Sequence, residues 1–240
     1  MKLNTNSNAY TIIYATIVVI IVAVLLALVS QVLSPRQQAN VKLDQQKQML
    51  VALNLKIDSI ANPAARYEEL VRDTIQMNED STKANIIRFE VEGQTKYMLR
   101  LHGAGLWGGI GGYLALNEDK NTIYGINFNH ESETPGLGAL IVEDNFRNQF
   151  NNMHIRNQEG EIVSVAVMKS GKTCEAGAEY QVDAISGATI TSTGVSDMLK
   201  ENLKEYAAFL NSETLGDLLN SVCNANAEEE NVESVKEEGE

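Results

Sequence analysis

Between Tyr10 and Leu33 the chain runs 24 residues without a charge, and only Thr11, Thr16, Ser30 and Gln31 are clearly polar. As a helix such a run is about 36 Å long, enough to cross a hydrocarbon layer of about 30 Å with modest tilt. Fifteen of its residues are Ile, Leu or Val, and at roughly −0.3 to −0.6 kcal/mol each they favour insertion by several kcal/mol. A cleaved signal peptide has a shorter apolar region, about 7–15 residues, that ends at a small-x-small site. Ala27 to Gln31 offers no good site of that kind. The segment 10–33 is therefore expected to be an uncleaved anchor in contact with membrane lipid, preceded by a stub at 1–9. Lys2 lies on one side of it and Arg36, Lys42 and Lys47 on the other, so the positive-inside rule does not choose which end is cytoplasmic.

Pro35 is expected to end the apolar run and to open a second helix. Leu43, Leu50 and Ile57 recur at seven-residue spacing with Met49 and Leu53 nearby, which predicts an amphipathic connecting helix within 34–60. A folded domain over 61–223 follows. After it, residues 224–240 set Glu228, Glu229, Glu230, Glu233, Glu237, Glu238 and Glu240 against Lys236 alone, a solvated acidic tail with little to bury. The whole chain carries 32 acids against 19 bases, a net charge of −13. With no basic patch, this argues against a nucleic-acid surface.

Within the domain, Ala64 to Asn78 reads as a short helix that buries Tyr67, Leu70, Val71 and Ile75. Strands are expected at Ile86–Val91 and Tyr97–Leu101 around the Glu92-Gly93 turn, then at Gly111–Leu116, Thr122–Phe128 and Glu161–Met168. A closing helix from Val195 to about Leu210, capped by Ser192 or Thr193, would turn Val195, Met198, Leu199, Leu203, Tyr206 and Leu210 inward. That order predicts an α+β fold with one curved, largely antiparallel sheet. Cys174 and Cys223 are isolated, and His102, His130 and His154 lack ligand spacing. Thiols or one disulfide are expected, and no metal site.

Two glycine-containing segments could hold a ligand. Asp183-Ala184-Ile185-Ser186-Gly187-Ala188-Thr189-Ile190-Thr191-Ser192-Thr193-Gly194 stands just ahead of the closing helix. Small residues there let backbone N–H groups approach an anion, and the helix start adds partial positive charge. By itself such a Ser/Thr-rich turn is more often a simple cap. In Glu131-Ser132-Glu133-Thr134-Pro135-Gly136-Leu137-Gly138, Pro135-Gly136 is a natural turn that would expose Leu137 where a planar ring could stack, or a plain surface turn. Leu106-Trp107-Gly108-Gly109 holds the only tryptophan, a second wall for a planar ligand or a core anchor.

Taken together, Thr189 within Asp-x-x-Ser-Gly-Ala-Thr, Glu-Thr-Pro-Gly-Leu-Gly at 133–138 and the single apolar span resemble the NqrC family, the flavin-bearing anchored subunits of the sodium-translocating NADH:quinone oxidoreductase (Nqr). The corresponding flavin-bearing subunit of the Rnf electron-transport complex shares both motifs. Gly105-Leu106-Trp107, Gly112-Tyr113-Leu114-Ala115-Leu116 and Pro35-Arg36-Gln37-Gln38-Ala39-Asn40 favour the former. The resemblance runs from about residue 10 to 210 and implies FMN joined through a phosphodiester to Thr189 by a separate flavin transferase that recognises Asp183 and Ser186. It also implies a ring packed against Leu106, Trp107 and Leu137, with Glu133 and Thr134 at its polar edge, Thr191 and Ser192 close to the phosphate, and Lys169 near the ring. The implied role is a one-electron relay from NADH towards quinone, in the cytoplasmic (inner) membrane with other membrane subunits of the Nqr complex, the domain facing the periplasm. The rival from a different class is a non-redox anchored assembly module whose glycine loops only shape an interface.

Overall fold

The computed structural model describes residues 8–76 and 85–212; the acidic tail and Cys223 lie outside them. The chain divides into two compact units, Met1–Gln45 and Gln46–Glu240. Most of the first is helix α1, Asn8–Ala52, which continues into the second. Its large apolar side chains from Ile12 to Leu33 are exposed, and it is the one described helix long and apolar enough to cross a membrane. Within it the Thr16 hydroxyl donates to the Ile12 carbonyl at 2.8 Å, which satisfies a polar group among apolar neighbours.

The break expected at Pro35 does not occur, because Pro35 lies inside α1. Proline in a helix interior forfeits one backbone bond and costs about 3 kcal/mol. Ending the helix there would instead strand up to four carbonyls and four N–H groups, so continuing costs less. The helix also stops earlier than expected, at Ala52. Ile57–Ser59 is a short 3-10 turn, and Ile57 is only partly buried.

The second unit is built on a five-stranded sheet in the order β1 to β5: β1 Val71–Gln76, β2 Asn85–Val91, β3 Gln94–Ala104, β4 Gly109–Asn117 and β5 Ile123–His130. Every neighbouring pair is antiparallel, as the fold class predicts. Alternation along the strands gives the sheet two apolar faces. Tyr113 and Ala115 face one way, with Met98, Phe89 and the α1 residues Met49, Leu50 and Ala52. Leu114 and Leu116 face the other, with Leu99, Leu101, Phe128 and the inner face of the closing helix α4, Thr189–Glu205. At the β2–β3 hairpin Glu92 and Gly93 both have positive φ, +53° and +76°, the two-residue turn whose twist matches the strands.

Three further expectations are corrected. The helix foreseen to Asn78 ends at Leu70 (α2, Pro63–Leu70), and Val71, Thr74 and Ile75 form strand β1 instead, because β-branched residues pack well on a pleated surface. Of the strand foreseen at 161–168 only β6, Ala166–Met168, forms, and it pairs in parallel with β7, Gln181–Asp183. Helix α4 spans Thr189–Glu205, with Ala188 at its cap; Ser192 and Thr193 are inside it. Helix α3, Asp144–Arg147, follows β5, and α5, Ala207–Asn211, follows α4. Residues Val195, Met198, Leu199, Leu203, Tyr206 and Leu210 are all buried, as expected.

α4 lies close against β3. A β-carbon on Gly103 would sit 2.7 Å from Met198 Cβ, and one on Gly194 would strike the Ala104 carbonyl. β3 outruns its pairing with β2, which ends at Leu99, and α4 supplies the missing partners along that edge. Asn202 Oδ1 accepts from the His102 N–H at 3.0 Å, and its Nδ2 donates to the His102 carbonyl at 2.8 Å. The Tyr206 hydroxyl donates to the Arg100 carbonyl at 3.1 Å. The helix that begins at Thr189 is thus held in register with the sheet.

Candidate functional site

The start of α4 forms one side of the site. β7 ends at Asp183, whose N–H donates to Gln149 Oε1 at 2.9 Å, and the Ala184 N–H reaches the Met168 carbonyl at 2.9 Å. The chain then turns through Gly187, at φ +78°. The Ser192 N–H donates to the Ala188 carbonyl at 2.9 Å, closing the first turn of the helix. The N–H groups of Thr189, Ile190 and Thr191 precede it, the ordinary state of a helix start. Thr189 and Ser186 are exposed, whereas Ala188, Thr191 and Ser192 are buried. Both buried hydroxyls are engaged inside the protein. Thr191 Oγ1 donates to Glu133 Oε2 at 2.6 Å, and Ser192 Oγ accepts from the Ile185 N–H at 3.3 Å.

The opposite side is made by two loops. A tight turn, closed by the Gly105 N–H to the Gly108 carbonyl at 2.8 Å, presents Leu106 and Trp107, 46% and 67% exposed. The 133–138 loop is folded by the Thr134 carbonyl, which accepts from the N–H groups of Leu137 and Ala139 at 3.1 Å each. It leaves Leu137 41% exposed, with Thr134 also at the surface. A β-carbon on Gly187 would lie 2.9 Å from Leu137 Cδ2. The two sequence segments therefore meet, and glycine at 187 is what allows it. Trp107 is a surface residue and not a core anchor.

Glu133 is 3% exposed. Besides Thr191 it accepts from the Trp107 N–H, at 2.8 Å to Oε1. Burial alone would raise its pKa. Hydrogen bonds from Thr191, Trp107 and Leu106, with His130 nearby, outweigh that and hold the carboxyl below the ordinary glutamate range. Gly138 is buried against the same carboxylate, since a β-carbon there would collide with Glu133 Oε2 and come within 2.6 Å of Thr191 Oγ1.

Of the residues singled out from sequence, Leu106, Trp107, Glu133, Thr134, Leu137, Gly138, Gly187, Ala188, Thr189 and Thr191 share this neighbourhood. Lys169 is exposed just beyond β6. Sequence reasoning gave no role to Ile190, 58% exposed on the first turn of α4. It placed Ser132 and Glu131 in the 131–138 segment without a role: the Ser132 hydroxyl donates to the Trp107 carbonyl at 3.2 Å, and Glu131 accepts from the Gly109 N–H at 3.2 Å. An apolar residue next to Thr189 was the available signal for Ile190; the two loop residues carried none. Cys174 is a free thiol that donates to the Gly177 carbonyl at 3.0 Å. Among the described residues no three His, Cys, Asp or Glu side chains gather as metal ligands.

An exposed threonine hydroxyl at a helix start, flanked by exposed apolar side chains on tight glycine turns, suits a ligand with an anionic end and a flat apolar body. Residues 105–204 match the FMN-binding domain family. The NqrC subunit of the Na(+)-translocating NADH-quinone reductase of Haemophilus ducreyi is 26% identical, across 83% of this chain and 91% of its own length. That of Vibrio alginolyticus is 34% identical across 58% of this chain, which spans only about half (52%) of that relative. The crystal structure of the same subunit from Parabacteroides distasonis superposes with a TM-score of 0.69 at 38% identity, covering 76% of this chain and 98% of that one. The NqrC structure from Shewanella oneidensis, at 19% identity and a TM-score of 0.57, shares the fold. With a 38% identical relative covered almost end to end, this chain belongs to the NqrC family of Na(+)-translocating NADH-quinone reductase subunits, and its FMN-binding domain makes it a flavoprotein.

Proposed function

We propose that Thr189 carries FMN through a phosphodiester and that this anchored subunit relays electrons one at a time on the route from NADH to quinone. The observation that carries the reading is the meeting of Gly187 with Leu137, which sets an exposed threonine at a helix start beside an exposed apolar rim. The residues present fit the group. Thr189 Oγ1 is the atom that would be esterified, and the N–H groups at the start of α4 would receive the remaining phosphate oxygens. Leu106, Trp107 and Leu137 would wall the ring. Bound FMN would supply the redox chemistry, and the chain's part is to hold and orient it and to tune its potential.

Thr189 is an acceptor, not a self-activating nucleophile. Its attachment is assigned to a flavin transferase acting on the Asp183-to-Thr189 segment. Lys169, exposed beyond β6, is a secondary candidate for the ring's surroundings. The apolar part of α1 fits a single-pass anchor in a membrane complex. In this reading the folded domain faces the periplasm, lipid surrounds residues 10–33, and the other membrane subunits supply donor and acceptor. One span cannot enclose an ion path, so sodium translocation is assigned to those partners.

The test is a denaturing gel of the full chain produced with and without a flavin transferase. A fluorescent band at the chain's mass, present only with the transferase, is the expected result. A dark band from a chain exposed to an active transferase would contradict covalent flavin and favour the assembly-module reading.

A further inference from the structure

Holding a ring beside an esterified threonine requires three separate segments to keep their spacing: the Gly105–Gly108 turn with Trp107, the 133–138 loop with Leu137, and the first turn of α4 with Thr189. A single carboxylate joins them. Glu133 belongs to the second segment, receives the Trp107 N–H of the first at 2.8 Å, and receives the Thr191 hydroxyl of the third at 2.6 Å. Its own N–H donates to His130 Nδ1 at 3.3 Å, which fixes the start of the loop to the end of β5.

We infer that Glu133 is the positioning residue of this site, a strut inside the protein that holds the Trp107 wall at a set distance from the attachment helix, and not a polar contact at the ring edge. The burial supports this, because at 3% exposure Glu133 presents almost no surface to a ligand, and each oxygen is already bonded within the protein. The glycines support it independently. A β-carbon on Gly105 would stand 2.5 Å from Glu133 Oε1, and one on Gly138 would overlap Oε2, so the Gly105 turn and Glu133's own loop are both pared back around this carboxylate. A buried ionised group is costly unless hydrogen-bonded, and bonds to it are stronger than neutral ones. These hydrogen bonds satisfy the buried carboxylate, and the spacing they set depends on the length of the side chain and its two bonding positions. A wall held by contacts within the protein spares a ligand the cost of ordering it.

The inference rests on the proposed function for what is being positioned, and the test separates the two. Trp107 is the only tryptophan, so its emission anisotropy reports the mobility of its turn, and quenching of its emission by attached flavin reports its closeness to the ring. The full-length chain is compared with Glu133→Ala, Glu133→Gln and Thr191→Val, each prepared with and without the transferase. Glutamine can accept from the Trp107 N–H and donate to the Thr191 hydroxyl, so it should restore the strut.

Without flavin, anisotropy should fall in Glu133→Ala, fall less in Thr191→Val, and return to the wild-type value in Glu133→Gln. With flavin attached, quenching should weaken in the same order and recover in the glutamine variant. Wild-type anisotropy in Glu133→Ala would overturn the inference, and so would a glutamine variant that behaves like alanine, since charge and not geometry would then be responsible. If Glu133→Ala does not fold, Thr191→Val decides, and unchanged anisotropy with unchanged quenching there is contrary. A wild-type chain that takes up no flavin while the anisotropies change as expected would sink the proposed function and leave the strut standing.

Discussion

Gly187 and Leu137, fifty residues apart in sequence, sit so close that a β-carbon on the glycine would lie 2.9 Å from Leu137 Cδ2. This contact joins the segment leading to Thr189 to the loop that exposes Leu137. Gly187 also has φ +78°, where a side chain costs about 1–2 kcal/mol. Gly187→Ala should therefore destabilise the domain by about that amount and push Leu137 outward. Thermal melting would show the first effect, and a shifted absorbance maximum of the attached flavin the second. A variant that melts and absorbs like wild type would mean the two segments are not coupled.

Helix α4 depends on the edge of β3. Asn202, 1% exposed, gives its amide to both backbone groups of His102 and to the Met198 carbonyl, each within 3.0 Å. Asn202→Leu keeps comparable bulk but strands the His102 N–H and carbonyl against an apolar side chain. At about 1–3 kcal/mol for each unsatisfied group, the loss should total several kcal/mol. A large fall in the denaturation midpoint with an unchanged denaturant slope is expected. A midpoint within experimental error of wild type would show that water replaces the amide.

Acid should reach the site through Glu133. Its folded-state pKa is lowered, so the stability it contributes is fully present above the unfolded-state value, about 4.3. That contribution is lost as pH falls through the lower folded-state value. Melting temperatures of wild type and Glu133→Gln should thus differ by a constant amount above about pH 5.5, and the wild type's advantage should shrink below about pH 4. An advantage that grows on acidification would mean the carboxyl is protonated in the folded chain.

What the sequence disclosed was local. An uncharged apolar run, a Glu-Gly turn and the helical spacing of Val195, Met198, Leu199 and Leu203 each carry their own structural consequence, and each was legible. Competition between elements was not. Val71 to Ile75 fits a helical face as well as a strand, and pairing with β2 decided it. Pro35 reads as a boundary until one lost bond is weighed against a whole unpaired helix end. β6 and β7, three residues each, are too short to show a period. At the site the residue types were readable but their directions were not. Thr189, Thr191 and Ser192 look alike in a row, yet only the first is exposed. Asn202 gave no sign among ordinary helix residues, because its partner is a backbone edge a hundred residues away.

That difference in direction makes the attachment claim sharp. The Thr191 hydroxyl is buried and donated to Glu133, and the Thr193 hydroxyl donates back to the Thr189 carbonyl at 3.0 Å, so exposed Thr189 is the proposed acceptor at the start of the helix. The most direct measurement is peptide mass spectrometry on the full chain produced with an active flavin transferase, comparing Thr189→Val with Thr191→Val. The peptide spanning 183–194 should lose the FMN mass completely in Thr189→Val and keep it in Thr191→Val. FMN retained on the Thr189→Val peptide, or lost only in Thr191→Val, would contradict the assignment.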